Sequence, residues 1–270
     1  MVGRPGGCLD HGSYHCKRGN RRSARQGLSG FLRKFKRLIY SSTHTERSIR
    51  ESGGSGMQRA MSLDDAKTHW EKVYTAKAPD QVSWYRPHLE LSLSLIESAA
   101  GGVSASIIDV GGGESTLVDD LLARGYQNIT VLDISQAAID VAKKRLEGGA
   151  GGADRVHWIT ADITTVELAP AAYDVWHDRA VFHFLTSTEK RVAYVNAVRC
   201  AVKHGGHVIV GTFGLDGPTK CSGLEVMRYD AESLNREFGS RFRLIKSSKE
   251  MHHTPSGTAQ QFLYCYWQID

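Results

Sequence analysis

Apolar and polar positions change rhythm along this chain, and each change marks an element. The sequence opens a helix at Ser62-Leu-Asp-Asp65, with Ser62 as the cap and Asp65 three positions on, and continues it through Ala66–Tyr74. A second helix is expected from Pro87 to about Ala100, where Leu89, Leu93 and Ile96 recur near helical spacing. Ser106–Val110 is a short, continuous apolar run ending in three glycines, the pattern of a buried parallel strand. A helix over Thr116–Arg124, stopped by Gly125, leads to a strand at Asn128–Leu132 that ends at Asp133. Ser135 caps a helix over Gln136–Leu146. Val156–Thr160 is a third strand, closing at Asp162, and Tyr173–Trp176 a fourth. A helix over Thr188–Val202, the turn Gly205-Gly206, a strand at His207–Phe213 and a helix over Ala231–Phe238 follow. The strands Phe242–Ser247 and Gln261–Trp267 close the chain.

Strand–helix alternation of this kind predicts an α/β fold: a Rossmann-like, doubly wound, mostly parallel sheet with helices on both faces. In such sheets ligands lie beyond the carboxyl ends of the strands. The organisation expected is a basic, disordered extension over residues 1–60 and one domain over 61–270, whose segment 61–100 forms N-terminal helices.

Charge sharpens that division. The first sixty residues hold 13 Lys/Arg against 3 Asp/Glu, while the remainder holds 21 against 26, within an overall balance of +5. The body is mildly acidic, so nucleic-acid capture by the body is not expected. Only Leu28–Tyr40 of the extension is amphipathic. Three readings of the extension stay open: a mitochondrial transit peptide within residues 1–50, a basic surface-binding tail, or a chain whose natural start is Met57 or Met61 after the linker-like Ser52–Gly56. A cytoplasmic location is expected, or a mitochondrial one if the first holds. No apolar run is long enough to cross a membrane as a helix. The five cysteines are scattered without metal-ligand spacing, so reduced thiols and no metal site are expected, with Cys200 and Cys265 in buried elements.

The chemistry concentrates at strand ends. Asp109-Val-Gly-Gly-Gly-Glu-Ser115 joins the first strand to its helix, and Gly111 and Gly113 let the backbone turn and approach a ligand closely. A dinucleotide loop would place glycine where Thr116 stands, and Asp109 would repel a pyrophosphate. A cofactor with an ammonium and a sulfonium, S-adenosylmethionine, suits these acids instead. Asp133 can accept both ribose hydroxyls, and is also readable as a plain helix-capping residue. Asp162 can accept from an adenine amino group, with Ile163 packed on the ring, and is also readable as a loop residue. Ile134, next to Asp133, joins the candidate cofactor residues.

These segments, IIDVGGGES (Ile107–Ser115), VLDIS (Val131–Ser135), ADI (Ala161–Ile163), YDVWHDRAVFHFL (Tyr173–Leu185) and HGGHVIVGTF (His204–Phe213), resemble the class I methyltransferase superfamily. The resemblance covers about Thr68 to Trp267. It implies a seven-stranded sheet in the order 3-2-1-4-5-7-6 with the seventh strand antiparallel. It further implies S-adenosylmethionine as cofactor, with Gly111 and Gly113 facing its methionine part, Asp133 its ribose and Asp162 its adenine. Ser115 stands where many members carry a third glycine. HWEKVY (His69–Tyr74) and VSWYRP (Val82–Pro87) are similar to the helices that lid the cofactor in this family, which puts Trp70 and Tyr74 on the cofactor and Trp84 and Tyr85 on the acceptor side.

Trp176-His-Asp-Arg179 should face the reactive methyl group. Asp178 and His177 are the candidate catalytic residues and Arg179 a candidate substrate-binding one, although each also suits a packed or ion-paired structural role. The absence of an N-P-P-[YF] tetrapeptide after the fourth strand argues against adenine or glutamine-amide acceptors. The layout is similar to seven-strand lysine methyltransferases of the elongation factor and citrate synthase type, with Asp178-Arg-Ala180 where those carry D-K-G. Asp216–Gly239 is similar in layout to thiopurine S-methyltransferases. The acceptor classes implied are a small-molecule thiol or amine, or a protein lysine. Two other classes compete: a non-catalytic module holding a nucleoside, and an NAD(P)-dependent oxidoreductase, which Asp109 and Thr116 disfavour.

Overall fold

A computed structural model of the chain describes residues 63–148 and 152–270. The predicted cap Ser62 and the basic segment 1–60 lie outside the described residues. In chain order the elements are α1 (Leu63–Ala76), α2 (Glu90–Ala99), β1 (Ser106–Val110), α3 (Leu117–Ala123), β2 (Asn128–Asp133), α4 (Gln136–Glu147), β3 (Val156–Thr160), β4 (Tyr173–Arg179), α5 (Thr188–Ala201), β5 (Val202–Phe213), β6 (Lys220–Cys221), β7 (Leu224–Glu225), α6 (Ala231–Phe238), β8 (Phe242–His253) and β9 (Ala259–Ile269). The main sheet runs β3-β2-β1-β4-β5-β9-β8, and β6 pairs with β7 alone. With that small hairpin left out, the order is the expected 3-2-1-4-5-7-6. Strands β1 to β5 are parallel, and β9 runs antiparallel to both β5 and β8.

Side chains alternate across a strand, and the core divides accordingly. Ile108, Val110, Leu132, Trp176, Val208 and Val210 enter one apolar layer, closed by Tyr194 and Val198 of α5 and Leu234 and Phe238 of α6. Their neighbours Ile107, Ile129, Val131, Val175 and Ile209 enter the other, closed by Leu93 and Ile96 of α2 and Leu117 and Leu121 of α3. Burying Trp176 and Trp267 also buries their ring N–H groups, and each finds an acceptor: Trp176 donates to the Tyr194 hydroxyl at 2.9 Å and Trp267 to Asn235 Oδ1 at 2.9 Å.

Where element bounds depart from the sequence reading, hydrogen bonding gives the reason. Helix α2 begins at Glu90 rather than Pro87, because Thr116 Oγ1 donates to the carbonyls of Arg86 and Pro87 and holds that segment out of helical geometry. Strand β4 runs on through His177 and Asp178 to Arg179, since those polar groups find partners inside the protein. Strand β5 begins at Val202, and Gly205-Gly206 forms an irregularity where the pairing jumps from Tyr173↔Val202 to Val175↔His207. Cys265 is buried as expected, but Cys200 lies on the outer side of α5 and is exposed.

The N-terminal helix is fastened at one end of the sheet. Glu71 of α1 accepts from Ser135 Oγ and from the amides of Gln136 and Ala137, while Ser135 itself accepts from Ala138 N. One carboxylate from α1 thus caps the first turn of α4, where the helix dipole favours negative charge. This bond set places the aromatic face of α1 over the carboxyl ends of β1, β2 and β4.

Candidate active site

A cavity of about 790 Å³ opens at those carboxyl ends. Val110 of β1, Leu132 and Asp133 of β2, Asp162 and Ile163 after β3, and Arg179 of β4 form its floor. Trp70 and Tyr74 of α1, with Trp84, form a roof together with Phe184. These rings meet edge to face: Trp70 lies 5.0 Å from Phe184 and 5.7 Å from Trp84 between centroids. The volume is that of a pocket for a nucleoside-sized ligand.

Gly111 turns the chain at the floor with φ +71°, and Gly111 N donates to Leu132 O at 2.7 Å. A side chain at Gly111 would collide with Val181, so only glycine leaves this end of the cavity open. Gly113 does not line the cavity. It gives room to the Asp133 carboxylate, whose Oδ2 lies 2.8 Å from where a Cβ would stand. Arg145 of α4 holds the loop from behind, donating to the carbonyls of Glu114 and Ser115 at 2.8 and 2.7 Å and to Asp119.

Asp133 is buried, with Oδ1 accepting from Ser135 N at 2.8 Å. Burial, reinforced by the nearby Asp109 and Glu71 carboxylates, pushes its pKa up to about 7 against the pull of backbone amides. A ligand hydroxyl pair is best received by the ionised form, which offers acceptors only. Cofactor affinity is therefore expected to rise with pH through about 7 and to level off above it, with protons released on binding near neutrality. Calorimetric titration at pH 6 and 8, in buffers of different ionisation enthalpy, checks this; affinity that falls with rising pH contradicts it. Asp162 Oδ1 accepts from the Thr164 amide and hydroxyl at 2.7 and 2.6 Å, which orients the carboxylate at the cavity wall beside Ile163.

Of the residues expected from the sequence, Trp70, Tyr74, Trp84, Gly111, Asp133, Ile134, Asp162, Ile163 and Arg179 all meet at this cavity. Asp109, Ser115, His177 and Tyr85 do not; they border a smaller chamber of about 50 Å³ on the other side of Gly111, which also touches Tyr74, Trp84, Glu114 and Arg179. Tyr85, expected with Trp84 on the acceptor side, borders this smaller chamber, and Trp84 borders both. There His177 Nδ1 meets Asp109 Oδ1 at 2.7 Å, and both groups are buried.

Asp178 is a correction. It faces the opposite side of the sheet from His177 and is completely buried. Its Oδ1 accepts from Val181 N at 2.8 Å, and its Oδ2 accepts from Phe182 N at 3.0 Å and from the Tyr194 hydroxyl at 2.6 Å. Burial raises its pKa to about 6 although these donors and His177 oppose the rise. Asp178 fixes the loop after β4 and touches no ligand cavity.

Sequence reasoning missed three parts of the site. The first is the β6–β7 hairpin, which brings Lys220, Cys221, Leu224 and Glu225 to the cavity. Its turn, Ser222 (φ +50°) and Gly223 (φ +78°), has the left-handed backbone of a tight hairpin, and the Ser-Gly pair was the available signal. The second is the Arg145 clamp, for which a basic residue in the last turn of a helix gives no signal. The third is Glu114, which is buried with neither carboxylate oxygen bonded. Burial and the Asp133 charge raise its pKa to about 7 against the pull of Arg145. An unbonded buried polar atom costs about 1–3 kcal/mol, so a site that gathers several of them is built for something else to fill.

Comparison with known proteins finds methyltransferases. The family described as "Methyltransferase domain" matches residues 107–206. The mouse "eEF1A lysine and N-terminal methyltransferase" is 27% identical over 145 residues, 53% of this chain and 20% of that protein. The C-methyltransferase UbiE of ubiquinone and menaquinone biosynthesis from Roseobacter denitrificans is 28% identical over 121 residues, 44% of this chain and 47% of that one. The chain thus spans a fifth to a half of the length of the curated relatives it matches. Among solved structures, the Burkholderia thailandensis 1,6-didemethyltoxoflavin N1-methyltransferase with bound S-adenosylhomocysteine aligns over 80% of this chain and 93% of its own, with a TM-score of 0.60 and 14% identity. NodS of Bradyrhizobium japonicum, an N-methyltransferase also bound to S-adenosylhomocysteine, aligns over 76% and 99%, with a TM-score of 0.57 and 16% identity.

Proposed function

We propose, for a chain that belongs to the class I S-adenosylmethionine-dependent methyltransferases, that it transfers a methyl group from that cofactor to an amine or thiol, carried by a small molecule or a protein lysine. One observation carries the reading: three strand-end segments bring Gly111, Asp133 and Asp162 to a single cavity under an aromatic roof. Ile134 and Ile163 offer apolar walls to the adenine, Asp162 an acceptor to its amino group, and Asp133 acceptors to the ribose hydroxyls. Trp70, Tyr74 and Trp84 present ring faces and edges where a sulfonium is stabilised by π-electrons. When bound, the cofactor supplies an electrophilic methyl group.

The remaining chemistry is positioning. Among the described residues near the acceptor end, Cys221, Lys220, Asp178 and His177 are not set up as strong bases. Burial pushes the Cys221 thiol up to about 11, so it stays protonated. Lys220 is paired with Glu225 at 2.8 Å. Asp178 is spent on the loop after β4, and His177 faces the smaller chamber. The acceptor therefore arrives already nucleophilic, as a neutral amine or a thiolate, and the aromatic roof and the β6–β7 hairpin hold it in line with the methyl group. The lysine and N-terminal methyltransferase among the relatives, and the N-methyltransferases among the similar structures, support the amine class of acceptor.

The test is incubation of the protein with methyl-labelled S-adenosylmethionine and panels of thiols, amines and lysine-bearing proteins. Label is expected in one of these classes, and Trp84→Ala is expected to reduce transfer about tenfold or more, by removing one wall of the roof. Cofactor binding without transfer to any panel member would favour the non-catalytic module.

A further inference from the structure

Arg179 ends β4 and is partly buried at the wall of the main cavity, which Trp84 and the β6–β7 hairpin also line. Its guanidinium is fixed in place. It stacks 4.3 Å above the Phe262 ring, with Nε donating to the Tyr264 hydroxyl and Nη1 to Trp84 O, both at 3.0 Å. Both receivers are uncharged, and Nη2 is buried without a partner. Among the described residues, then, no carboxylate takes any of its three nitrogens. A guanidinium cannot shed its charge by losing a proton, and that charge is shared over the whole group, so the edge that lines the cavity carries it.

The acids near the cavity are engaged elsewhere. Glu225 pairs with Lys220 at 2.8 Å and Glu250 with Arg86. Asp133 and Asp162 accept from backbone amides of Ser135 and Thr164, and Asp178 accepts from Val181 N on the other side of the sheet. The titratable groups within reach of Arg179 are neutral as well. Burial, reinforced by Arg179, pushes His183 down to about 3. Burial, with Arg179 and Arg86 adding to it, pushes His252 down to about 4 against the pull of the Ser83 carbonyl. The Cys221 thiol keeps its proton. An unanswered charge in such a wall is costly to the free protein, and it attracts an anion strongly once water leaves the cavity.

We infer that the methyl acceptor is a small carboxylate, an amine or a thiol whose carboxylate rests on Arg179 while its nitrogen or sulfur faces the methyl group. This assignment rests on the transfer reaction proposed above and narrows it. A lysine side chain carries its own positive charge and is repelled by Arg179, so a protein lysine drops out. One guanidinium balances the single charge of a carboxylate and would leave a phosphate dianion half-neutralised. The aromatic side chains Trp70, Tyr74, Trp84 and Phe184 suit an acceptor with an apolar or aromatic body. The carboxylate is a handle and does not react. The acceptor nitrogen or sulfur forms the new bond to the methyl carbon, the bond from that carbon to the sulfonium breaks with its electron pair kept by sulfur, and an amine acceptor then gives its surplus proton to water.

The probes are benzoate, phenylacetate and 3-phenylpropanoate, each titrated by calorimetry against its neutral amide into protein saturated with S-adenosylhomocysteine. At least one carboxylate is expected to bind the wild type about tenfold or more tighter than its amide. Arg179→Gln is expected to erase that difference and Arg179→Lys to keep part of it, while S-adenosylhomocysteine affinity stays within about threefold of the wild type in both, which also shows that the variants are folded. Equal affinity of carboxylate and amide in the wild type, or binding of none of them, overturns the assignment without recourse to any variant. A preference that survives Arg179→Gln overturns it too, as does a loss of S-adenosylhomocysteine affinity in a folded Arg179→Gln protein, or transfer of label from S-adenosylmethionine to a lysine-bearing protein at a rate that Arg179→Gln leaves unchanged. In each of these cases the wild type still binds S-adenosylhomocysteine and the methyltransferase reading stands. Wild-type protein that binds no S-adenosylhomocysteine overturns both.

Discussion

Replacing Asp178 with alanine is expected to lower the stability of the protein by roughly 2–5 kcal/mol, because three buried neutral donors lose their acceptor. Asp178 is fully buried, and three donors converge on it: the amides of Val181 and Phe182 and the Tyr194 hydroxyl. The Tyr194 oxygen in turn accepts from Trp176, so the change also disturbs the partner of a buried indole. Without the carboxylate, two buried amides and one hydroxyl lose their acceptor in a layer lined by Phe182, Phe238 and Leu234. Urea unfolding of the variant and the wild type measures the loss directly. An unchanged midpoint with slowed methyl transfer would return Asp178 to the chemistry and contradict the role given to it here.

Gly111→Ala is expected to cost roughly 2–4 kcal/mol of stability, and to weaken S-adenosylhomocysteine more than tenfold. Two effects combine. The backbone at Gly111 has φ +71°, which an alanine adopts only under strain, and the new methyl group would strike the Val181 side chain. The bond from its amide to Asp178 fixes the Val181 backbone, and the β-branched side chain is stiff at χ1, so relief by the valine is restricted. The collision is therefore transmitted into the floor of both cavities. Gly205→Ala is the control: φ there is +75°, but nothing lies within 4 Å of the added atom, so only the backbone strain of about 1–2 kcal/mol applies. Thermal melts of the two variants should differ, and cofactor affinity should fall in the first alone. Equal melting losses would mean that the contact with Val181 is absorbed by the loop.

Most of the fold was legible because the sequence writes strand, glycine stop and cap in order. Ser135 caps α4 as expected, the apolar runs at Ile107–Val110 and Ile129–Leu132 are central parallel strands, and the closing strand pair is β8 with β9. The strand-end acids were legible for the same reason, since Asp133 and Asp162 follow directly on recognisable strands. Asp178 could have been read differently from the same sequence. Once β4 is extended past Trp176, alternation sends Trp176 and Asp178 to one face and Val175, His177 and Arg179 to the other. The acid therefore follows the indole into the core while the histidine and the arginine turn to the chamber. Taking the strand to stop at Trp176, where polar residues begin, hid that parity.

What remained hidden depends on contacts between distant segments. Glu71 meets the start of α4 across more than sixty residues of chain, and Arg145 reaches back to the Glu114 and Ser115 carbonyls from the far end of its helix. Neither pairing follows from local pattern. Nothing in the local pattern marks Glu114 as buried; residues from Tyr74 to Leu89 gather around the chamber that it lines. Cys200 misled in the other direction: a small apolar residue in a helix suggested burial, but it falls on the outer side of α5.

The most direct test of the central claim is calorimetric titration of the full chain with S-adenosylhomocysteine, with NADH titrated in parallel. The account predicts saturable one-to-one binding of S-adenosylhomocysteine, lost or weakened by about 1–3 kcal/mol in Asp133→Ala, and no heat of binding from NADH. Binding of NADH, or a folded protein that ignores S-adenosylhomocysteine, would contradict it.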